Sequence, residues 1–297
     1  MVSLIDVVDV VDGMHTEPWA LKELHPSAVA DANVVAGFQA EAYRTAALHH
    51  PHIVAARAFD SGASALGLAY VDGVSLAYLL DASRIAGSSL PPSIVVRIGL
   101  DVLSALAAVH AVTSDQGEAV AGLVHGDVNP RNVLVDRAGT AWLCDFGAAA
   151  PAYQIAPFRG TWAYAAPEVL TGRGCYPASD VFSAAVMLWE ALRGQRLFRR
   201  TTAAETMMAV VETPAEVLDV GRPDLRALAD CFRAALRTRI EERTATAAVF
   251  ARALTDAQSP ASRADVGTVV TTLAAVEFAR RQNPALASVR SVTRSSR

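Results

Sequence analysis

The spacing of apolar and polar positions changes character along the chain. About the first seventy residues are strand-like with one helical interruption. Residues 3–12 (SLIDVVDVVD) are rich in β-branched side chains and predict a strand, 13–18 a turn, and 19–24 a second short strand. Residues 28–48 predict a helix with Val34, Val35, Phe38, Ala42 and Thr45 on one side, ended near Pro51. Short strands are expected at 53–59 and 65–71. Beyond them the pattern is mainly helical. Pro91 and Pro92 suit a helix start, and Val95, Ile98, Val102, Leu106 and Val109 keep helical spacing to about 112. Residues 133–135 and 141–143 predict a small hairpin around 136–139, and 181–193 an apolar helix buried on all sides. Helical patterns return at 224–237, 245–256 and about 262–282, and the last fifteen residues, with Arg290, Arg294 and Arg297 among serines, read as a disordered basic tail. The polar, glycine-containing stretch 113–122 reads as a loop, and no internal repeat is found.

Composition narrows the classes. Hydrophobic residues make up 52% of the 297 residues, enough for a large core. No run of eighteen uninterrupted apolar residues predicts a membrane span, and the N-terminus does not read as a signal peptide. Cys144, Cys175 and Cys231 are scattered and odd in number, which fits a reduced cytoplasm better than a disulfide framework or a zinc site. A net charge of −4 argues against a general nucleic-acid or membrane-surface binder. Of the 26 basic residues, 25 are arginine and one, Lys22, is lysine. A lone lysine in an arginine-biased chain marks a place where a slim ammonium serves and a planar fork does not, or else is chance.

The chemistry gathers in two short segments. His125-Gly126-Asp127-Val128-Asn129-Pro130-Arg131-Asn132 is followed by Val-Leu-Val, and thirteen residues past Asn132 comes Asp145-Phe146-Gly147. Phosphoryl transfer from ATP needs these residue types: a carboxylate to take or orient the proton of the attacking hydroxyl, and an amide oxygen and a second carboxylate to hold Mg²⁺. Each piece alone could be a turn or a cap; their order and spacing favour function.

These segments resemble the protein-kinase family. HGDVNPRNVLV resembles its catalytic loop HRDxxxxN, CDFG its metal-binding motif, and Trp19-Ala20-Leu21-Lys22 its VAIK strand. Phe38-Gln39-Ala40-Glu41 with the following LHHPHIV resembles the family's ion-pair helix and the turn after it. GTWAYAAPE at 160–168 resembles the end of a Ser/Thr kinase activation segment, and SDVFS at 179–183 the buried helix beyond it. The match covers about residues 5–257, and the wording around the catalytic loop and in SDVFSAAVMLWEALRGQRLF at 179–198 also looks like soluble bacterial Ser/Thr kinases.

The resemblance implies a two-lobed α+β fold: an N-lobe over 1–71, a helical C-lobe over 72–257, and a C-terminal helix and tail over 258–297. It implies that Lys22 holds the α- and β-phosphates and pairs with Glu41, that Asp127 is the base, and that Asn132 and Asp145 bind Mg²⁺. Ala20 and Leu134 would sandwich the adenine, with Leu68 as gatekeeper and the backbone of Ala69 to Val71 as hinge. Glu168 with Arg243, and Asp180, would be structural.

Three departures matter. A kinase has a glycine-rich loop upstream of its lysine, and no glycine precedes Gly13 here, so the N-lobe is expected to be truncated at its first strand and loop. Gly126 replaces the arginine that pairs with a phosphorylated activation segment. Between Gly147 and Ala166 only Tyr153, Thr161 and Tyr164 carry hydroxyls, so activation without that phosphorylation is expected. Asn129 stands where Ser/Thr kinases have lysine, and Arg131 is the candidate replacement, while Thr161 argues for Ser/Thr acceptors. The leading function is therefore an ATP- and Mg²⁺-dependent Ser/Thr protein kinase acting on a protein substrate. The alternative is a pseudokinase, a nucleotide-binding or scaffold module. A small-molecule phosphotransferase ranks third, because GTWAYAAPE belongs to the protein-kinase branch.

Overall fold

The structure is a computed structural model that describes residues 3–12, 15–58, 65–112, 122–155, 158–213, 215 and 218–282. It divides into two compact units, Met1–Asp72 with Ala275–Arg297, and Gly73–Ala274.

The N-terminal unit is built on an antiparallel sheet in the order β1-β2-β4-β3, from β1 (Ser3–Asp12), β2 (His15–Leu24), β3 (Ala56–Ala58) and β4 (Ala65–Ala69). The expected turn at 13–18 is mostly strand: β2 begins at His15, and Pro18 pairs in register with Asp9. Proline is tolerated there because β4 pairs only from Trp19 onward, so among the described residues Pro18 pairs with β1 alone and no second ladder needs its missing N–H. Helix α1 (Ala32–Ala46) is shorter than the expected 28–48, since Asp31 caps it by accepting the Asn33 N–H at 2.9 Å. Residues alternate along β2, so Lys22 and Leu24 share one face. Leu24 packs with Phe38 and Ala42 of α1 and with Leu66 of β4. Ile53 and Val54 are buried without being in a strand; β3 starts only at Ala56.

The C-terminal unit is mainly helical. After β5 (Gly73–Ser75) come α2 (Leu76–Ile85) and α3 (Pro92–His110), then β6 (Leu123–Val124), β7 (Val133–Asp136), β8 (Ala141–Leu143) and β9 (Ala150–Pro151). The remaining helices are α4 (Pro167–Leu170), α5 (Pro177–Arg193), α6 (Ala203–Glu212), α7 (Arg226–Ala235), α8 (Ala247–Ala257) and α9 (Arg263–Leu273). No expectation covered α2 or α6, two ten-residue helices capped by Ser75 and Thr202. Helix α5 is the core, with Trp189 and its apolar neighbours fully buried. Among the described residues α3 is the one helix long and apolar enough to cross a membrane, but it packs on α5 and α8 with most of its length buried. Gly99 allows that approach: a Cβ there would lie 2.8 Å from Leu188 Cδ1.

The expected hairpin is present as β7 and β8, with β5 alongside in the order β5-β7-β8. The expected single helix over 262–282 is two, α9 and α10 (Ala275–Gln282), broken at Ala274. Residues 258–274 also belong to the C-terminal unit rather than to a separate segment. Arg97 Nε donates to the Ala261 carbonyl at 2.8 Å and the Ala261 N–H to the Ser93 carbonyl at 2.9 Å. The expected tail and most of the 113–122 loop lie outside the described residues.

Candidate active site

In the N-terminal unit, β2 and α1 bring Lys22 and Glu41 together, with Nζ 2.6 Å from Oε1 and both residues buried. Ala20 stands opposite Leu68 in the β2–β4 register, and Leu68 packs beside the cluster around Phe38. Ala69 ends β4, its N–H donated to the Ala55 carbonyl at 2.8 Å, and Val71 follows half-buried.

In the C-terminal unit the loop 125–132 is suspended from α5. Asp180 is 1% exposed and accepts three donors: the N–H of His125 (2.8 Å) and of Gly126 (3.0 Å), and His110 Nε2 (2.8 Å). His125 is buried and bridges onward. Its Nδ1 accepts the Asp127 N–H at 3.3 Å, its Nε2 donates to the Cys144 carbonyl at 3.1 Å, and its ring lies 4.7 Å from that of Phe146. Gly126 has φ +77°, and a Cβ there would approach the Ala148 carbonyl oxygen to 2.8 Å. Glycine therefore relieves both a left-handed backbone and a contact that any side chain would meet.

Asp127 is held at each oxygen. The Thr161 N–H donates to Oδ1 at 2.8 Å and Asn132 Nδ2 to Oδ2 at 3.1 Å. Asn132 Nδ2 also donates to the Asp127 carbonyl at 2.9 Å, so its amide nitrogen faces Asp127 and its Oδ1 is the acceptor left for a cation. Burial pushes the Asp127 carboxyl above the usual carboxylate range, while His125 and the neighbouring polar groups of Thr161 and Asn129 pull it back.

Asp145 follows β8. The Cys144 N–H donates to the Asn132 carbonyl at 3.0 Å, which ties the two feet of the hairpin together. Asp145 is exposed in a left-handed backbone with φ 63°, and Phe146 beyond it is fully buried. The strained turn lets the ring enter the core while the carboxylate stays outside. Leu134 is half-buried in β7, opposite Trp142. Arg131 is exposed, and among the described residues its guanidinium makes no hydrogen bond or ion pair.

Sequence reasoning assigned no positioning role to Asn129 or His125. Asn129 is buried, and its amide donates to the Asp127 carbonyl at 3.0 Å and to Thr161 Oγ1 at 3.4 Å, while its Oδ1 accepts the Arg131 N–H at 2.9 Å. It was legible only as a missing lysine. The signal for His125 was its place two residues before Asp127.

The oxygen donors of Asn132 and Asp145 fit Mg²⁺, which takes one or two protein ligands and fills its octahedron with water and phosphate oxygens. Among the described residues no group of three His, Cys, Asp or Glu side chains could hold a metal unaided.

A held carboxylate, with two oxygen donors at the feet of one hairpin, is what phosphoryl transfer asks of a protein. The chain belongs to the protein kinase family: the model for the protein kinase domain matches residues 5–250. Among its relatives, serine/threonine-protein kinase PknA of Mycobacterium tuberculosis is 34% identical over 235 residues, 74% of this chain and 50% of that protein. PkaB of Streptomyces coelicolor, also a serine/threonine-protein kinase, is 34% identical over 192 residues, 60% of this chain and 43% of that protein. The chain spans about half the length of the curated relatives it matches. Among solved structures, the kinase domain of Mycobacterium tuberculosis PknI superposes with a TM-score of 0.62 at 27% identity, covering 86% of this chain and 92% of that one.

Proposed function

We propose that the protein transfers the γ-phosphate of ATP to serine or threonine of a protein substrate. The observation that carries this is the double hold on Asp127, one oxygen by the Thr161 N–H and the other by Asn132 Nδ2. Each carboxylate oxygen keeps a second lone pair for the acceptor hydroxyl. The raised pKa makes Asp127 a better proton acceptor than an exposed aspartate. Asn132 and Asp145 would hold Mg²⁺, which neutralises charge on the phosphates when bound. Lys22, oriented by Glu41, would bind the α- and β-phosphates, and Arg131 would balance charge on the transferred group. Relatives named as serine/threonine kinases, and Thr161 beside the base, support the acceptor class.

The protein would work without activation-segment phosphorylation. Gly126 offers no side chain to a phosphate, and its backbone N–H is already given to Asp180. Stoichiometric Tyr153 phosphate coupled to activity would sink that part.

The test is a thermal shift with Mg-ATP run beside ³²P transfer to protein. Stabilisation and transfer are expected together. Stabilisation without transfer would establish the nucleotide-binding module instead.

A further inference from the structure

The family match ends at residue 250, yet the C-terminal unit runs on to Ala274. The added segment supplies α9, which is seated on the hairpin whose feet carry Asn132 and Asp145. Gly139 lies at the hairpin tip with φ +84°, and a Cβ there would fall 2.0 Å from the Arg263 carbonyl oxygen. Reciprocally, a Cβ on Gly267 of α9 would fall 2.3 Å from the Arg137 carbonyl oxygen. Two glycines thus let two backbones meet where no other residue fits. Val266 and Val270 of α9 are fully buried beside this contact.

An ionic lock accompanies the backbone fit. Asp101 on α3 is 3% exposed, and Arg263 reaches it with both terminal nitrogens, NH1 2.9 Å from Oδ2 and NH2 3.2 Å from Oδ1. The same Oδ2 accepts the Ala141 N–H, the first of β8, at 3.0 Å. Arg263 NH1 also donates to the Gly139 carbonyl at 3.4 Å. One carboxylate therefore joins α3, β8 and α9. The tip is stiff in itself: Asp136 accepts the Thr140 N–H at 2.8 Å and Trp142 Nε1 at 2.9 Å. A hairpin with strands of three or four residues has little stability of its own. What holds its outer end governs how firmly its feet hold their side chains.

We propose that α9 is a positioning element for the metal-ligand hairpin, with Arg263 and Asp101 as its positioning residues. Docking of α9 sets the relation of Asn132 to Asp145 and so the Mg²⁺ concentration at which nucleotide is bound. This rests on the kinase reading above.

The test compares Arg263→Ala and Arg263→Lys in the full chain with Leu254→Ala, a core truncation on α8 that lowers overall stability. Hydrogen exchange without metal or nucleotide should be faster in Arg263→Ala at the Ala141 and Cys144 amides, relative to those of α5. The Mg²⁺ midpoint for thermal stabilisation by ADP should rise about 10-fold, the low end for loss of outer-shell support. Leu254→Ala should keep the wild-type midpoint, and Arg263→Lys, which keeps the charge but not the fork, should fall between. Should Arg263→Ala not fold, Arg263→Lys decides. An unchanged midpoint in a wild type that does respond overturns the proposal, and so does an equal rise in Leu254→Ala. A wild type that gains nothing from Mg-ADP overturns the kinase reading instead, and unaltered exchange at Ala141 and Cys144 would then dispose of the clamp as well.

Discussion

Two buried ion pairs, one in each unit, are built on opposite plans. Arg243 meets both oxygens of Glu168, at 2.7 and 2.9 Å, and gives its other three N–H groups to the carbonyls of Arg237, Ala178 and Thr238. Glu168 takes one more bond, from Ser179 at 2.6 Å, and the guanidinium lies 4.9 Å over the Phe182 ring. All five donors are used. Lys22 and Glu41 meet through one nitrogen and one oxygen, on a flexible stem between a strand and a helix. The contrast recurs between two aspartates of the C-terminal unit. Asp180 is surrounded by three donors, whereas Asp127 has one on each oxygen. A charge saturated by its own protein holds the scaffold. Asp127, held once at each oxygen, keeps acceptor capacity of its own.

The sharpest way to break this distinction is to remove charge from the open side. Asp127→Ala is expected to lower phosphate transfer by about 10²- to 10⁴-fold, the usual worth of a general base. Asp145→Asn is expected to abolish Mg²⁺-dependent transfer in an autophosphorylation assay. At neutral pH Asp127→Ala should cost less melting temperature than Asp180→Ala, because it strands two donors where Asp180→Ala strands three. Wild-type activity in Asp145→Asn would remove the metal assignment.

The reverse holds on the saturated side. Arg243→Ala leaves Glu168 buried without its cation, which costs about 3–5 kcal/mol. Urea denaturation should show the loss, with activity falling only as the unfolded fraction grows. Arg243→Lys should recover little of it, since an ammonium cannot replace a fork bonded at five points. If Arg243→Ala unfolds at the wild-type urea concentration, saturation is no guide to the scaffold.

How far this division could be read from sequence depends on how local its causes are. The placing of Asp127 and Asn132 on one loop, with Asp145 just past the far strand of a hairpin, was legible because the motif order fixes their spacing. Helix α5 was legible from its unbroken apolar character, and α1 from its periodicity, although Asp31 moved its start. The clamp by α9 was not legible. It depends on Gly139 and Gly267 meeting across 128 residues of chain, and on Arg263 reaching Asp101 in another helix. An isolated glycine or arginine gives no hint of such a partner. Asn129 was hidden for a related reason: its role lies in three hydrogen bonds that only the folded loop creates. The Pro18 position was misleading because a proline reads as a turn until the pairing of β2 shows that one neighbour is missing.

A smaller effect separates charge from shape at Lys22. Lys22→Arg keeps the cation beside Glu41, so the ligand-free melting temperature should stay close to that of the wild type. The guanidinium is broader and planar, and it should fit the phosphates less well. Nucleotide affinity is expected to fall about 10-fold, which corresponds to about 1.4 kcal/mol. Titration calorimetry with Mg-ADP measures this directly. Equal affinity in Lys22→Arg would mean that the single lysine of the chain is an accident of composition.

The finest test lies in the pH dependence of Asp127. Burial raises its folded-state pKa above the ordinary carboxylate value of about 3.9. As the proposed base, Asp127 would act only when ionised, so transfer should fall on acidification at a pH above that of an exposed aspartate. The stability effect has the opposite sense. A raised folded-state pKa means that the folded protein binds this proton more tightly than the unfolded chain. Its favourable contribution is complete below the unfolded pKa and is lost as pH rises through the folded one, leaving an ionised carboxylate that works against the fold at neutral pH. The melting temperature of Asp127→Ala relative to wild type should therefore climb as pH is raised from about 3 to 7, across the carboxylate range. For Asp180→Ala no pH should give such a gain, because three donors are stranded when that carboxylate is removed. If the two variants trace the same curve, the open and the saturated aspartate are energetically alike, and hydrogen-bond count does not separate chemistry from scaffold in this protein.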